Sequence, residues 1–233
     1  MIYGYEFDGI YQVDDFYTSA ATGKLILKPG ITNNTRYDGG AAPGVVKYKD
    51  QNGDGKITTA DRTVIGNAMP KWFGGITNSF SFKGIDFSFM LQYSYGNDVF
   101  NATRQFATGS QDQRYNMLAE VADRWSPTNA SNKVPSTKGY VKGDVYSRFV
   151  EDGSFLRLKN MTLGYSLPKK WINKIHISKL RIYGTAQNLF CISGYSGYDP
   201  EVSTAASNPM TPGLDWGAYP KSRVFTFGLD VQF

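Results

Sequence analysis

At 233 residues, with a net charge of +5 spread over many positions, the chain can hold one large domain or two small ones and carries no basic block of the nucleic-acid-binding kind. Its single cysteine, Cys191, excludes an internal disulfide framework, and no run of 18 apolar residues exists that could cross a membrane as a helix. Hydrophobic residues at 41%, aromatics at 15% (16 Tyr and 15 Phe among them) and 25 Gly fit a turn-rich all-β chain, and a membrane barrel with aromatic girdles better still.

Met1 is followed directly by Ile-Tyr-Gly-Tyr, without a basic region or an apolar leader. For an exported protein this predicts a piece of something longer. Residues 3–11 form a short β-like run. A mainly loop region follows, punctuated by Gly23, Pro29, Gly30, Asn33, Asn34, Gly39, Gly40, Pro43 and Gly44, before a second short strand at 45–49. Residues 1–70 are expected to be an extracellular loop region.

Within it, Asp50-Gln-Asn-Gly-Asp-Gly-Lys-Ile-Thr-Thr-Ala-Asp61 matches a calcium-loop pattern. Oxygen donors fall at positions 1, 3 and 5 (Asp50, Asn52, Asp54) and glycine at position 6 (Gly55). Lys56 offers its carbonyl at position 7, Thr58 a hydroxyl at 9, and Asp61 a carboxylate at 12. Ile57 is the apolar anchor. Hard oxygen donors suit Ca²⁺ in a structural role. The departure is Asp at position 12 where Glu is usual, a shorter arm that weakens the grip. No amphipathic helix precedes the loop and no second loop follows, so neither a paired calcium sensor nor a dockerin is indicated. The competing reading is a metal-free Asn-Gly/Asp-Gly turn.

Alternating strands begin at Trp72. In residues 72–83, Trp72, Ile76, Phe80 and Phe82 share a face, with Phe73, Thr77, Ser79 and Ser81 opposite. A tight Lys83-Gly84 turn leads into 85–95, where Ile85, Phe87, Phe89, Leu91, Tyr93 and Tyr95 form an unbroken apolar row. Residues 96–153 are a long polar excursion with one helix candidate, Arg114–Trp125, which Ser110 or Asp112 could cap and Ser126-Pro127 would stop. In 154–167, Met161, Leu163, Tyr165 and Leu167 face one way. Arg157 and Lys159 share that parity, at about 2–4 kcal/mol each if held at mid-membrane. That half of the strand is therefore expected to stand above the bilayer or to contain a bulge. A basic connection with Trp171 and the only histidine, His176, leads to a strand at 180–190. Residues 191–222 are a second long loop.

The last strand runs to the terminus. Phe225, Phe227, Leu229, Val231 and Phe233 share one face, opposite Thr226, Gly228, Asp230 and Gln232. Its length suits a tilted strand crossing a bilayer. It resembles the closing strand of Gram-negative outer-membrane barrels, where such a pattern is the signal read by the barrel-assembly machinery. With the C-terminus on the periplasmic side, both long loops (96–153 and 191–222) fall outside the cell and both short connections inside, the asymmetry of bacterial barrels. The fold class is thus all-β: an antiparallel transmembrane β-barrel segment of about five long strands over 71–233, with long extracellular loops and one short loop helix.

Catalytic chemistry has little to use. One histidine and one cysteine supply neither a His-based hydrolase nor a metal-catalytic centre, Glu151/Asp152 sits in a turn, and no phosphate-cradling loop exists. No enzyme is expected. The candidates for ligand contact are loop aromatics, Trp125, Tyr195, Tyr198 and Trp216.

Several ordered stretches carry a family resemblance: Tyr48–Ile57, Asp61–Asn67, Gln92-Tyr-Ser-Tyr-Gly-Asn-Asp-Val-Phe-Asn101, Phe149-Val-Glu-Asp-Gly-Ser-Phe-Leu-Arg-Leu-Lys-Asn160, Leu163–Pro168, Ala186-Gln-Asn-Leu-Phe190 and Gly194-Tyr-Ser-Gly-Tyr-Asp-Pro-Glu-Val202. They resemble the C-terminal third or less of SusC/RagA-type TonB-linked outer-membrane proteins of Bacteroidetes. The resemblance implies a 22-stranded barrel with an N-terminal plug, a TonB box that engages the TonB complex, a SusD-like surface lipoprotein partner, outer-membrane lipid around the wall, and import of an oligosaccharide or peptide. Plug and TonB box have no counterpart in this sequence, so by itself the chain is not expected to transport. The alternative is a secreted, calcium-stabilised β-domain binding carbohydrate through Trp125, Tyr140, Tyr195, Tyr198 and Trp216.

Overall fold

The computed structural model describes residues 1–109, 115–172, 176–204 and 211–233. Every long period-2 segment becomes a strand: β1 (Trp72–Phe82), β2 (Ile85–Tyr95), β3 (Phe155–Ser166), β4 (Lys179–Ser193) and β5 (Val224–Gln232). They pair antiparallel in chain order as one five-stranded sheet. Lys83 and Gly84 both take positive φ (47° and 87°), the mirror-image turn whose twist matches that of the strands it joins.

Register follows from the alternation, because a slip of one residue would exchange the two faces. Phe80 lies opposite Phe87, Phe87 opposite Leu163, Leu163 opposite Gly184, and Gly184 opposite Phe227. One apolar row therefore crosses all five strands.

Of the two expectations for Arg157 and Lys159, a bulge is what forms. The register of β3 shifts between Leu158 and Asn160 on both of its neighbours. The extra residue changes parity. Arg157 pairs with Gln92 and Cys191 on the polar face, and Lys159 Nζ donates to Gln92 Oε1 at 2.7 Å.

Two compact units make up the chain, and they are not the linear division into 1–70 and 71–233. One comprises 69–98, 152–202 and 218–233 and contains the sheet; the other gathers 1–68, 99–151 and 203–217. The stretch expected to be mainly loop has a core of its own: Tyr5, Tyr11, Phe16, Val45, Val46, Tyr48, Ile57, Phe100, Ala102, Val141, Tyr146 and Phe149. Its strands are only three or four residues long, Ile2–Gly4 pairing with Thr63–Gly66, Phe7–Ile10 with Val46–Tyr48, and Phe16–Thr18 with Leu25–Leu27. Such short two-stranded pairs are not stable alone. Burying an aromatic ring of 150–250 Å², at about 25 cal/mol per Å², supplies roughly 4–6 kcal/mol gross, and this is what holds them together.

The helix expected at Arg114–Trp125 is replaced by a 3₁₀ turn at Ala119–Asp123, and its proposed caps Ser110 and Asp112 lie outside the described residues. An α-helix forms earlier, α1 (Ala102–Gly109), started by Asn101 Oδ1 accepting from the Arg104 N–H at 2.8 Å. That side-chain cap satisfies a donor the helix leaves open and is its one local signal. A short second helix, α2 (Lys169–Ile172), lies between β3 and β4.

Candidate functional site

The sheet has two chemically opposite faces. On one, Phe82, Ile85, Tyr165, Ile182 and Leu229 stand at one level, Phe80, Phe87, Leu163 and Phe227 at the next, and Phe89, Met161 and Phe225 beyond. Many of these are strongly exposed, Phe227 at 86% and Phe82 at 68%. Exposed apolar area on this scale, continuous over five strands, marks a surface meant to be covered. Phe225, Phe227, Leu229 and Val231 share that face, as the alternation predicts.

The other face is polar and bonded across strands. Arg181 on β4 donates to both Asp86 oxygens on β2 (2.9 and 2.6 Å) and to Asp230 on β5 (3.2 Å), so one guanidinium ties three strands. It reaches Asp86 across β3 at Gly164, where a Cβ would lie 2.6 Å from the guanidinium and from the carboxylate; only glycine leaves that passage open. Further along, Thr162 and Thr185 share a hydrogen bond at 3.1 Å.

Where β3 bulges, the charges become buried. Arg157 donates to Asp199 at 2.5 Å, both residues 3% exposed, and its Nε lies 3.5 Å from Glu201. Glu201 also takes Lys221 and Gln92. Beside this network an open concavity of about 350 Å³ is lined by Phe73, Met90, Phe155, Lys159, Gln92 and Glu201. Asp199 and Glu201 lie in the segment Gly194–Val202, and nothing adjacent in the sequence marks them as partners of Arg157. The signal was an arginine on a strand with no partner nearby in sequence.

The loop aromatics divide. Trp216 (56% exposed) and Tyr198 (80%) are accessible, whereas Trp125 (9%) and Tyr195 (8%) are core residues. The Trp125 indole donates to Gln12 Oε1 at 2.9 Å, which satisfies its polar edge inside the fold. Trp216 instead packs edge-on against Phe106 of α1, which in turn meets Tyr115, at centroid distances of 5.7 and 5.1 Å. Phe106 and Tyr115 were missed because nothing local distinguishes a clustered aromatic from a solitary one. His176 is exposed at a positive φ of 57°, and Cys191 is exposed too.

In the acidic loop, Asp50 accepts from the Gly53 and Gly55 N–H groups (both 2.7 Å), Asn52 from Asp54 N–H (3.0 Å), and Asp54 from Lys56 N–H (2.8 Å). Asn52 and Asp54 are exposed, and Asp50 partly so. Asp61 behaves otherwise. It is fully buried and accepts from the Gln51 N–H (3.0 Å) and from Thr58 N–H (2.7 Å), stapling the loop's two ends. Among the described residues no group of three or more His, Cys, Asp or Glu side chains is placed to hold a metal ion.

Burial by itself would raise the Asp61 carboxyl, but the N–H groups of Thr58 and Gln51 outweigh it and hold the carboxyl below its ordinary range. The folded state therefore prefers the carboxylate. Its contribution is present above the ordinary carboxylate range and is lost as pH falls through the depressed value. Asp61→Asn is expected to cost about 1–3 kcal/mol, with or without calcium. Faster proteolysis within 50–61 checks it, and a cleavage rate unchanged from wild type would show that the staple is dispensable.

No family model matches the chain. Among curated proteins, TonB-dependent receptor P3 of Formosa agariphila is 35% identical over 236 residues, covering 99% of this chain and 22% of the relative. SusC of Bacteroides thetaiotaomicron, also a TonB-dependent receptor, is 32% identical over 199 residues, covering 84% and 18%. The chain thus spans about a fifth of the length of these relatives. Among solved structures, the RagAB peptide transporter matches with a TM-score of 0.70 at 24% identity, and the RagAB peptide importer in its open-open state with 0.68 at 21%; each match covers 100% of this chain and 22% of that chain.

Proposed function

Since this chain is a homologue of TonB-dependent receptors of the SusC/RagA kind, outer-membrane proteins, we propose that it forms the C-terminal part of the barrel wall of an outer-membrane importer. One observation carries the reading: the five-stranded sheet has an apolar face exposed on every strand and a polar face cross-bonded between strands. In lipid every backbone group must be satisfied by a neighbour, so a wall of this kind belongs to a closed barrel. The edges of β1 and β5 then pair with strands of the same larger protein. Phe225, Phe227, Leu229, Val231 and Phe233 face lipid, and their row serves as the assembly signal.

The cargo is an oligosaccharide or a peptide. RagAB, whose fold this chain shares, is itself a peptide transporter. A SusD-like lipoprotein closes over the barrel, and TonB drives the cycle through the remainder of the protein. Trp216 and Tyr198 are the accessible aromatics for cargo contact. We infer a structural Ca²⁺ at the loop of 50–61 from its donor spacing, with Asp50, Asn52, Asp54, the Lys56 carbonyl, Thr58 and Asp61 as the residues that would hold it. Their side-chain oxygens bond the loop's own backbone. Calorimetric titration should show Ca²⁺ heat that Asp54→Ala abolishes; absence of heat from the unmodified protein would remove the metal.

Import is tested by deleting the gene and following uptake of labelled oligosaccharide and peptide pools. Loss of one pool identifies the cargo class. Unchanged uptake of both, or recovery of the intact protein from the aqueous fraction without detergent, would overturn the reading and favour a secreted carbohydrate-binding domain.

A further inference from the structure

At the end of the sheet that carries the short connections, the apolar face closes with Phe82, Ile85, Tyr165, Ile182 and Leu229, and lysines stand next to it. Lys83, in the tight turn, folds its ammonium back over the Phe82 ring, 5.2 Å from the centroid. Phe82 belongs to the apolar face, so that charge sits on the same side of the turn as the apolar row. The turn also meets the end of β3. The Ser166 N–H donates to the Gly84 carbonyl at 2.7 Å, and the Tyr165 ring lies 3.4 Å from where a Cβ at Gly84 would stand.

From that end of β3 the chain passes through Leu167 and Pro168 into α2, which packs on β4. One residue anchors it: Ile172 is 2% exposed, whereas Lys169 and Lys170 are exposed and Trp171 is 63% exposed. Charge at this end is uneven. The carboxylates of the strand ends, Asp86 and Asp230, lie on the polar face and are both taken by Arg181. Among the described residues no ion pair balances Lys83, Lys169 or Lys170. An indole at the border of an apolar face, with lysines whose stems follow that border and whose charges stand outside it, suits a membrane–water interface. Unbalanced positive charge there complements an acidic phospholipid headgroup.

Building on the barrel-wall reading, we propose that Lys83, Lys169, Lys170 and Trp171 form a docking surface for acidic phospholipids in the leaflet on the side of the short connections. The ammonium groups meet the phosphates, the indole sits at the level of the glycerol backbone, and the acyl chains run along Phe82 and Tyr165. The apolar face takes any lipid; its charged border selects the headgroup.

The full-length protein in phosphatidylcholine vesicles, doped with brominated phosphatidylglycerol or brominated phosphatidylcholine, tests this by fluorescence, because bromine on an acyl chain quenches only an indole it touches. The Trp171 signal is the difference between wild type and Trp171→Phe. Trp72→Phe gives the signal of Trp72, which shares the apolar face at its other end. Phosphatidylglycerol should quench Trp171 at the lower lipid fraction, by roughly fivefold for each lysine engaged. The variant Lys83→Gln/Lys169→Gln/Lys170→Gln should erase that preference and leave Trp72 unchanged. Equal quenching of Trp171 by the two lipids, or none while Trp72 is quenched, would overturn the proposal and leave the barrel wall standing. If neither tryptophan is quenched, the barrel-wall reading falls with it.

Discussion

Replacing Arg157 by alanine is expected to destabilise the protein by about 3–5 kcal/mol, the usual cost of stripping one partner from a buried ion pair. Arg157 and Asp199 are both 3% exposed, and no solvent is at hand to take over the carboxylate. Asp199 also accepts from the Glu201 N–H at 2.9 Å, and Glu201 holds Lys221. Loss of the guanidinium therefore loosens residues 199–201 as well as the bulged end of β3. The double variant Arg157→Leu/Asp199→Leu removes both charges and should recover most of the loss, because it leaves neither ion uncompensated. Urea unfolding of the protein in detergent measures both. A single variant within about 1 kcal/mol of wild type would mean that water enters the pair and that the burial is not what holds the charges.

Phe227→Lys should cost about 2–4 kcal/mol in a bilayer, the penalty for a cation on the lipid side near the midplane. Phe227 is 86% exposed, sits opposite Gly184, and belongs to the apolar row through Leu163, Phe87 and Phe80. Its neighbour Thr226 faces the other way, opposite Thr185. Thr226→Lys should therefore cost well under half as much. Reversible unfolding from liposomes gives both numbers, and equal penalties at the two positions would contradict the assignment of the faces.

These effects rest on features of unequal legibility. The five strands were readable to within three residues at their ends, β4 running on through Cys191 to Ser193, because each needs only its own alternation. Once Asp86, Arg181 and Asp230 are placed on the polar parity their matching depth across three strands follows, although the passage at Gly164 does not. Arg157 and Lys159 posed a problem on paper, two cations on an apolar parity. The bulge between Leu158 and Asn160 resolves it, and that Asp199 receives Arg157 depends on the chain folding back over a separation of 42 residues. At the calcium-type loop the donor spacing was plain, but the burial of Asp61 beneath its own backbone was not.

By itself the sequence determined the strands of the sheet and their two faces. Both follow from period-2 alternation, a signal contained within each strand. Only the tertiary structure decided the other unit. Its core draws Tyr5, Tyr48, Phe100 and Tyr146 from distant segments whose strands are too short to show any period. Trp125 and Tyr195 passed for exposed loop aromatics for the same reason. Whether a ring in a Gly- and Pro-rich stretch ends in solvent or in a core is set by what packs against it, and those neighbours are not adjacent in the chain.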